Sequence, residues 1–323
     1  MERTDPEVSP RYRKDESWEH FASRLNDLLA PAHDADLLDL PAGRPIVHVF
    51  GVPRSGTTLV VQLLATHLDV GYIDNLAAAF WKAPVYGVRL SRALLGTRRS
   101  SFASEFGRTK AIQDPHEFGY FWSERLGYGE LAVPPAHRNA SVDWPQLARV
   151  LRNVAAQFNG PLILKNFLAA WHLESLLRWM PESRFIFVRR DLAATAMSLL
   201  RMRDEFLGDR ARWASLKPAE YPDLADRTPH EQVAGQAYFL ERAIVAKLAG
   251  APPQVSLAVS CEQIQQDPTA FIEGVRTFLG TDGAAVTWRD RDVSLPTHRA
   301  SARGLDYQLI ERAIAELRSA QVT

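Results

Sequence analysis

The stretch Ile46-Val47-His48-Val49-Phe50-Gly51-Val52-Pro53-Arg54-Ser55-Gly56-Thr57-Thr58 decides the fold. Its first residues, β-branched or aromatic apart from His48, form a brief continuous run, which predicts a strand buried on both faces over Ile46–Phe50. Beyond it Leu59, Val60, Leu63, Leu64 and His67 fall on one face at i, i+3 and i+4 spacing, which predicts an amphipathic helix over 58–67. Between strand and helix stand Gly51 and Gly56, which let the backbone wrap a ligand. The helix adds free amides and the positive end of its dipole, so the junction is an anion cradle. Arg54, Ser55, Thr57 and Thr58 supply side-chain donors suited to a tetrahedral oxyanion.

Working outward, similar apolar runs recur at 162–164, 184–188 and 255–259. Helical periods lie between or after them, at 144–158, 173–180, 192–203, 229–248 and 269–279. Strands alternating with helices predict an α/β domain: a parallel sheet of four or five strands flanked by helices, with ligands at the carboxyl ends of the strands. Residues 1–44 read as an N-terminal, helical extension, with a helix around 18–29 and a Pro/Gly-rich link before Pro45. The single domain then runs from 45 to 323.

Bulk composition narrows the partners. Lys plus Arg and Asp plus Glu both total 38 in 323 residues, so no global field draws the chain to nucleic acid or anionic lipid, and any anion site is local. Cys261 is the only cysteine, which rules out an intrachain disulfide framework and a cysteine-rich zinc site, and reads as a half-buried small apolar residue. No metal site is expected. The charged opening, 1–20, lacks the apolar core of a secretion signal, and no run is long enough to span a bilayer, so a cytoplasmic chain is expected.

Against the nucleoside-triphosphate loop Gly-x-x-x-x-Gly-Lys-Ser/Thr, the spacing holds, but Thr57 stands where the lysine belongs and the cation has moved to Arg54. The fold expected is therefore a P-loop-like three-layer sandwich without triphosphate chemistry. Pro53-Arg54-Ser55-Gly56-Thr57-Thr58 resembles the 5′-phosphosulfate loop of the sulfotransferase family, Pro-Lys/Arg-Ser-Gly-Thr-Thr, at every position. The family's 3′-phosphate motif is an apolar strand, then Arg-Asn/Asp, then Ser eight residues after the arginine. Arg190, Asp191 and Ser198 are similar, although Leu192 stands where proline is usual and Arg189 is an additional cation. The stretch from Val255 through Ser260-Cys261-Glu262 and Asp267-Pro268 to Phe278-Leu279-Gly280 resembles a third family segment, with Cys261 in place of tyrosine. Many relatives close the cofactor site with a basic, glycine-bearing loop near the C-terminus, which Arg299, Arg303 and Gly304 could supply; a solvated basic turn is the alternative reading.

The resemblance implies an enzyme using 3′-phosphoadenosine-5′-phosphosulfate (PAPS, product PAP) to sulfate a hydroxyl, less readily an amine, of a small-molecule, lipid or carbohydrate acceptor. Arg54 would hold the transferring group, and Lys165, at a strand tip, would meet charge on the bridging oxygen. The general base stays open. Glu117 and His116 precede an aromatic cluster at 118–122 that suits an acceptor pocket. Asp74 competes, because protein-tyrosine sulfotransferases carry an acidic base shortly after this helix, although the offset falls on Asn75; His172 comes last. The rival readings are a nucleotide or small-molecule kinase, which would need the missing lysine and a metal-binding aspartate, and a catalytically silent nucleotide-binding regulator.

Overall fold

The computed structural model describes residues 8–96, 99–129, 131–134, 136–280, 285–295 and 304–320. In chain order its helices are α1 (Glu16–Asp36), α2 (Thr57–His67), α3 (Asn75–Ala78), α4 (Pro84–Leu95), α5 (Gly119–Arg125), α6 (Trp144–Ala155), α7 (Leu173–Trp179), α8 (Leu192–Met202), α9 (Tyr221–Leu224), α10 (Pro229–Ala249), α11 (Cys261–Gln266), α12 (Pro268–Phe278) and α13 (Leu305–Ser319). The strands are β1 (Ile46–Phe50), β2 (Gly71–Tyr72), β3 (Ser104–Glu105), β4 (Arg108–Thr109), β5 (Leu162–Lys165), β6 (Ser183–Arg189) and β7 (Ser256–Ser260).

Five strands form one parallel sheet in the order β2-β5-β1-β6-β7. Every residue of β1 is buried, as its apolar run requires. Period-two alternation sorts the side chains to two faces. Ile46, Phe50, Leu162, Leu164, Phe185 and Phe187 enter one core, which contains α6, α8 and α10 residues such as Leu151, Leu199 and Leu240. Val47, Val49, Ile163, Ile186 and Val188 enter the other, against Val60 and Leu64 of α2 and Ile272 and Val275 of α12. The result is the three-layer α/β sandwich expected. The chain leaves β1 toward β2 and β5 and reaches β6 on the opposite side, so β1 lies where the winding reverses. Ligands of open α/β sheets bind beyond the strand ends at such a point.

The N-terminal helix is longer than the sequence pattern suggested, running through Pro31 to Asp36. It is docked by buried polar groups. Asn26 Nδ2 donates to Ala79 O (2.7 Å) and its Oδ1 accepts from Lys82 N (2.7 Å), while His33 Nε2 faces Val85 N at 3.4 Å. Among the described residues, no helix is long and apolar enough to cross a membrane.

Candidate functional site

The loop after β1 is pressed against the tip of β6. A Cβ on Gly51 would lie 2.3 Å from Val188 O and 2.4 Å from Ser55 Oγ, so only glycine admits this approach. Ser55 N closes a turn on Val52 O (3.0 Å), and Arg54 holds a left-handed backbone, φ 76°. The first-turn amides of Thr57, Thr58 and Leu59 have no intrahelical partners, and among the described residues no side chain caps α2. Ser55 Oγ is buried without a hydrogen-bond partner among the described residues. Arg54, Thr57, Thr58 and Leu59 line the hollow at the end of β1, and Ser55 lies buried within the loop behind it.

The loop after β1 and the Arg190–Ser198 pair, read separately from the sequence, meet here. Arg54 Nε donates to Ser198 Oγ on α8 (3.1 Å), and Arg190 Nη1, just beyond β6, donates to Arg54 O (3.2 Å). Asp191 caps α8 by accepting from Ala194 N (2.8 Å), which sets the helix start beside Arg190. Arg189 points elsewhere and pairs with Glu241 (2.9 Å). Burial, and then the neighbouring charge of Arg190, push Arg54 down to about 10, so its charged form is held at a cost that an anion would relieve. That electrostatic debt, with the unpartnered Ser55 hydroxyl, fits a phosphate-bearing cofactor.

Lys165, the last residue of β5, is buried to 8% exposure. Its Nζ lies 3.2 Å from Glu117 Oε2 and donates to Gly107 O (3.3 Å), while Thr58 Oγ1 reaches the same carbonyl at 3.5 Å. Glu117, Lys165, Arg54 and Thr58 thus line one cleft of about 1290 Å³, together with Pro53, Gly56, Thr57 and Arg190.

The other base candidates lie off that lining. His116 Nδ1 accepts from Phe118 N (2.8 Å), and burial pushes the ring down to about 4, so it is neutral with one lone pair already engaged. Asp74 caps α3, accepting from Ala77 N (2.8 Å) and from the Ser91 hydroxyl, beside a separate small hollow with Tyr72 and Arg289. Asn75 donates to Thr109 Oγ1 and Ala111 O. His172 is buried between Tyr128 and Asn139. Gly304 precedes α13, and Arg299 and Arg303 lie outside the described residues.

Several lining residues carried no sequence signal. Tyr12 and Lys14, the turn residues Phe106 and Gly107, and Phe206 and Trp213 beyond α8 all face the cleft. Cys261 is buried and lines the cleft beside Gly56, whose Cβ would lie 3.1 Å from its sulfur.

Known proteins place this architecture. No sequence among the curated proteins matches the chain. Among solved structures, the sulfotransferase STF9 from Mycobacterium avium aligns with a TM-score of 0.55 at 15% identity, covering 97% of this chain and 79% of its own. The sulfotransferase STF1 from Mycobacterium tuberculosis H37Rv gives 0.49 at 14% identity, covering 91% and 81%. The first of these likenesses supports the fold. Residues 45–284 match the model of the Sulfotransferase family, a span that contains the loop after β1, Lys165, Arg190 and Ser198, and so the chain belongs to the sulfotransferase family.

Proposed function

We propose that the chain is a PAPS-dependent enzyme that moves the sulfuryl group to a hydroxyl, less readily an amine, of a small-molecule, lipid or carbohydrate acceptor. The observation that carries this reading is the direct contact of the two phosphate motifs, Arg54 Nε to Ser198 Oγ at 3.1 Å and Arg190 to Arg54 O at 3.2 Å. PAPS has phosphate at both ends of its ribose, and two cationic sites at adjoining strand tips suit one such nucleoside better than a linear triphosphate. Residues 53–58 are assigned to the 5′ end, and Arg190 with Ser198 to the 3′-phosphate.

Bound PAPS supplies an activated sulfuryl group at the 5′ end. Arg54, the Thr58 hydroxyl and the first amides of α2 hold its oxygens, donating to charge that grows during transfer. Lys165 meets charge on the bridging oxygen. Glu117 takes the acceptor's proton, since its carboxylate lies beside Lys165 at the cleft and is 37% exposed, open to an incoming hydroxyl. Asp74 and His116, each engaged in local backbone capping, are assigned structural roles.

Incubation with PAPS carrying labelled sulfur and a panel of aryl, alkyl and sugar alcohols tests the reading. Label should pass to at least one acceptor and survive a metal chelator. PAP binding without turnover on any acceptor would favour a silent nucleotide-binding regulator, and magnesium-dependent transfer from ATP would favour a kinase.

A further inference from the structure

Residues 102–110 arch over the anion loop on fixed feet. Asp114, fully buried, accepts from Ser100 Oγ (3.0 Å), Ser101 N (2.7 Å) and Ser101 Oγ (2.5 Å) on one side, and from Ala111 N (3.3 Å) on the other. Asn75 Nδ2 ties the second foot through Thr109 Oγ1 (3.2 Å) and Ala111 O (2.7 Å). Between the feet β3 and β4 pair antiparallel, leaving Phe106 and Gly107 as a two-residue turn with φ 49° and 83°. Positive φ at both central residues is the type I′ geometry. Glycine suits it, whereas phenylalanine adopts it against a steric cost, and Phe102 at the first foot also has positive φ, 55°.

This strained tip lands on the assigned transfer machinery. The Gly107 carbonyl accepts from Lys165 Nζ (3.3 Å) and Thr58 Oγ1 (3.5 Å). A Cβ at Gly107 would stand 3.3 Å from Arg54 Nη1 and 3.4 Å from Lys165 Nζ. The Arg54 guanidinium also lies over the Phe106 ring at 5.5 Å. An oxygen with partial negative charge therefore rests on two groups assigned to the cofactor's 5′ end, Lys165 and Thr58, with the Arg54 guanidinium beside the turn. The N-terminal segment holds it there from outside. Tyr12 OH donates to Glu105 Oε1 (2.7 Å), Arg11 Nη2 donates to Glu105 Oε2 (3.0 Å), and the Tyr12 ring packs on Phe106 (6.2 Å) and Phe206 (4.9 Å). Ser9 N anchors the segment on Phe206 O (2.9 Å).

We propose that the hairpin tip is an internal stand-in for the bridging oxygen at the cofactor's 5′ end, which PAP keeps as a phosphate oxygen; it sits on Lys165 and Thr58 until the cofactor displaces it and is clasped shut by residues 9–12. The inference rests on the cofactor reading above and adds a regulatory contact to the same site. The exchange is favourable because Lys165 gives up a neutral carbonyl for an ionised oxygen, and such charge-assisted bonds are roughly twice as strong as neutral ones. Before that exchange Lys165 is divided between Glu117 and Gly107. Afterwards it is free for the bridging oxygen, and Phe106 leaves Arg54, opening the acceptor side. The shut form lowers apparent cofactor affinity by the fraction of molecules that are open.

Glu105→Gln and Tyr12→Phe weaken the clasp without touching a group assigned to the cofactor. Calorimetric titration of the full chain with PAP should show about three- to tenfold tighter binding in each variant, the effect of one lost clasp interaction on the open fraction. Hydrogen exchange over 102–110 should speed up when PAP is added to the wild type. Unchanged or weaker PAP binding in both variants, or slower exchange over 102–110 with PAP, overturns the stand-in and makes the hairpin a fixed wall. Inorganic phosphate separates the two readings: if PAP binds no tighter than phosphate the cofactor assignment fails, while faster exchange over 102–110 in saturating phosphate still upholds the displacement.

Discussion

Replacing Arg54 with alanine should weaken PAP binding while leaving the free protein as stable as before, or more so. The guanidinium is largely buried beside Arg190, and burial, then that neighbouring charge, pushes its pKa well below the ordinary guanidinium value to about 10. At 1.36 kcal/mol per unit this amounts to roughly 3 kcal/mol of unfavourable environment. Lost contacts offset part of the relief, the hydrogen bond to Ser198 and the stacking on Phe106, at about 1 kcal/mol each. The net expectation is a stability change between zero and about +1 kcal/mol, read from guanidinium denaturation. Binding moves the other way. A charged hydrogen bond to phosphate contributes about 1.5–3 kcal/mol, so PAP affinity should fall about tenfold to 150-fold by calorimetry at fixed salt. Affinity within about threefold of wild type, or a stability loss above about 2 kcal/mol, would refute the reasoning, since a residue that matters mainly to the fold behaves that way.

Glu117→Gln should cut turnover about 100-fold or more with PAP affinity retained, because it removes the proton acceptor and no phosphate contact; equal turnover would remove Glu117 from the base role. Asp74→Ala should lower stability by about 1–2 kcal/mol through loss of the α3 cap, with turnover per folded molecule unchanged. Acid should destabilise the fold well before its carboxylates titrate. Burial pushes His48 down to about 3 and His116 to about 4, from 6.5 in the unfolded chain. The unfolded state therefore binds protons that the native state refuses, so stability rises with pH from about 4 to 6.5 and is lost on acidification through that window. Denaturant midpoints at pH 7 and pH 5 check this, and a flat profile between them would contradict the buried, neutral imidazoles.

The frame of the candidate site was legible because its signals are local. A strand that ends in a glycine-bearing loop and a helix start needs only a few consecutive residues, and Arg54 to Thr58 stand in that order. The strand tips at Lys165 and Arg190 followed from apolar runs buried on both faces. What was illegible depends on distant contacts. β2 is two residues long and, among the described residues, pairs only with β5, too short to leave an apolar run. The hairpin strands Ser104–Glu105 and Arg108–Thr109 are polar and joined by Phe-Gly rather than Asn-Gly, so the element over the site had no pattern to betray it. His116 and Glu117 look equivalent side by side, and what separates them is that His116 Nδ1 accepts from Phe118 N two residues on, whereas the fold brings Glu117 beside the distant Lys165. Asp74 carries the short polar side chain that suits a cap as well as a base, and its neighbour Ala77 uses it as a cap.

One crystal structure with PAP bound bears most directly on the claim that the loop after β1 and the Arg190–Ser198 pair hold a single doubly phosphorylated nucleoside. The expected density has the 5′-phosphate against residues 54–58 and the 3′-phosphate within hydrogen-bond reach of Arg190 and Ser198. A nucleoside seated with either phosphate in solvent, or bound away from the end of β1, would contradict it.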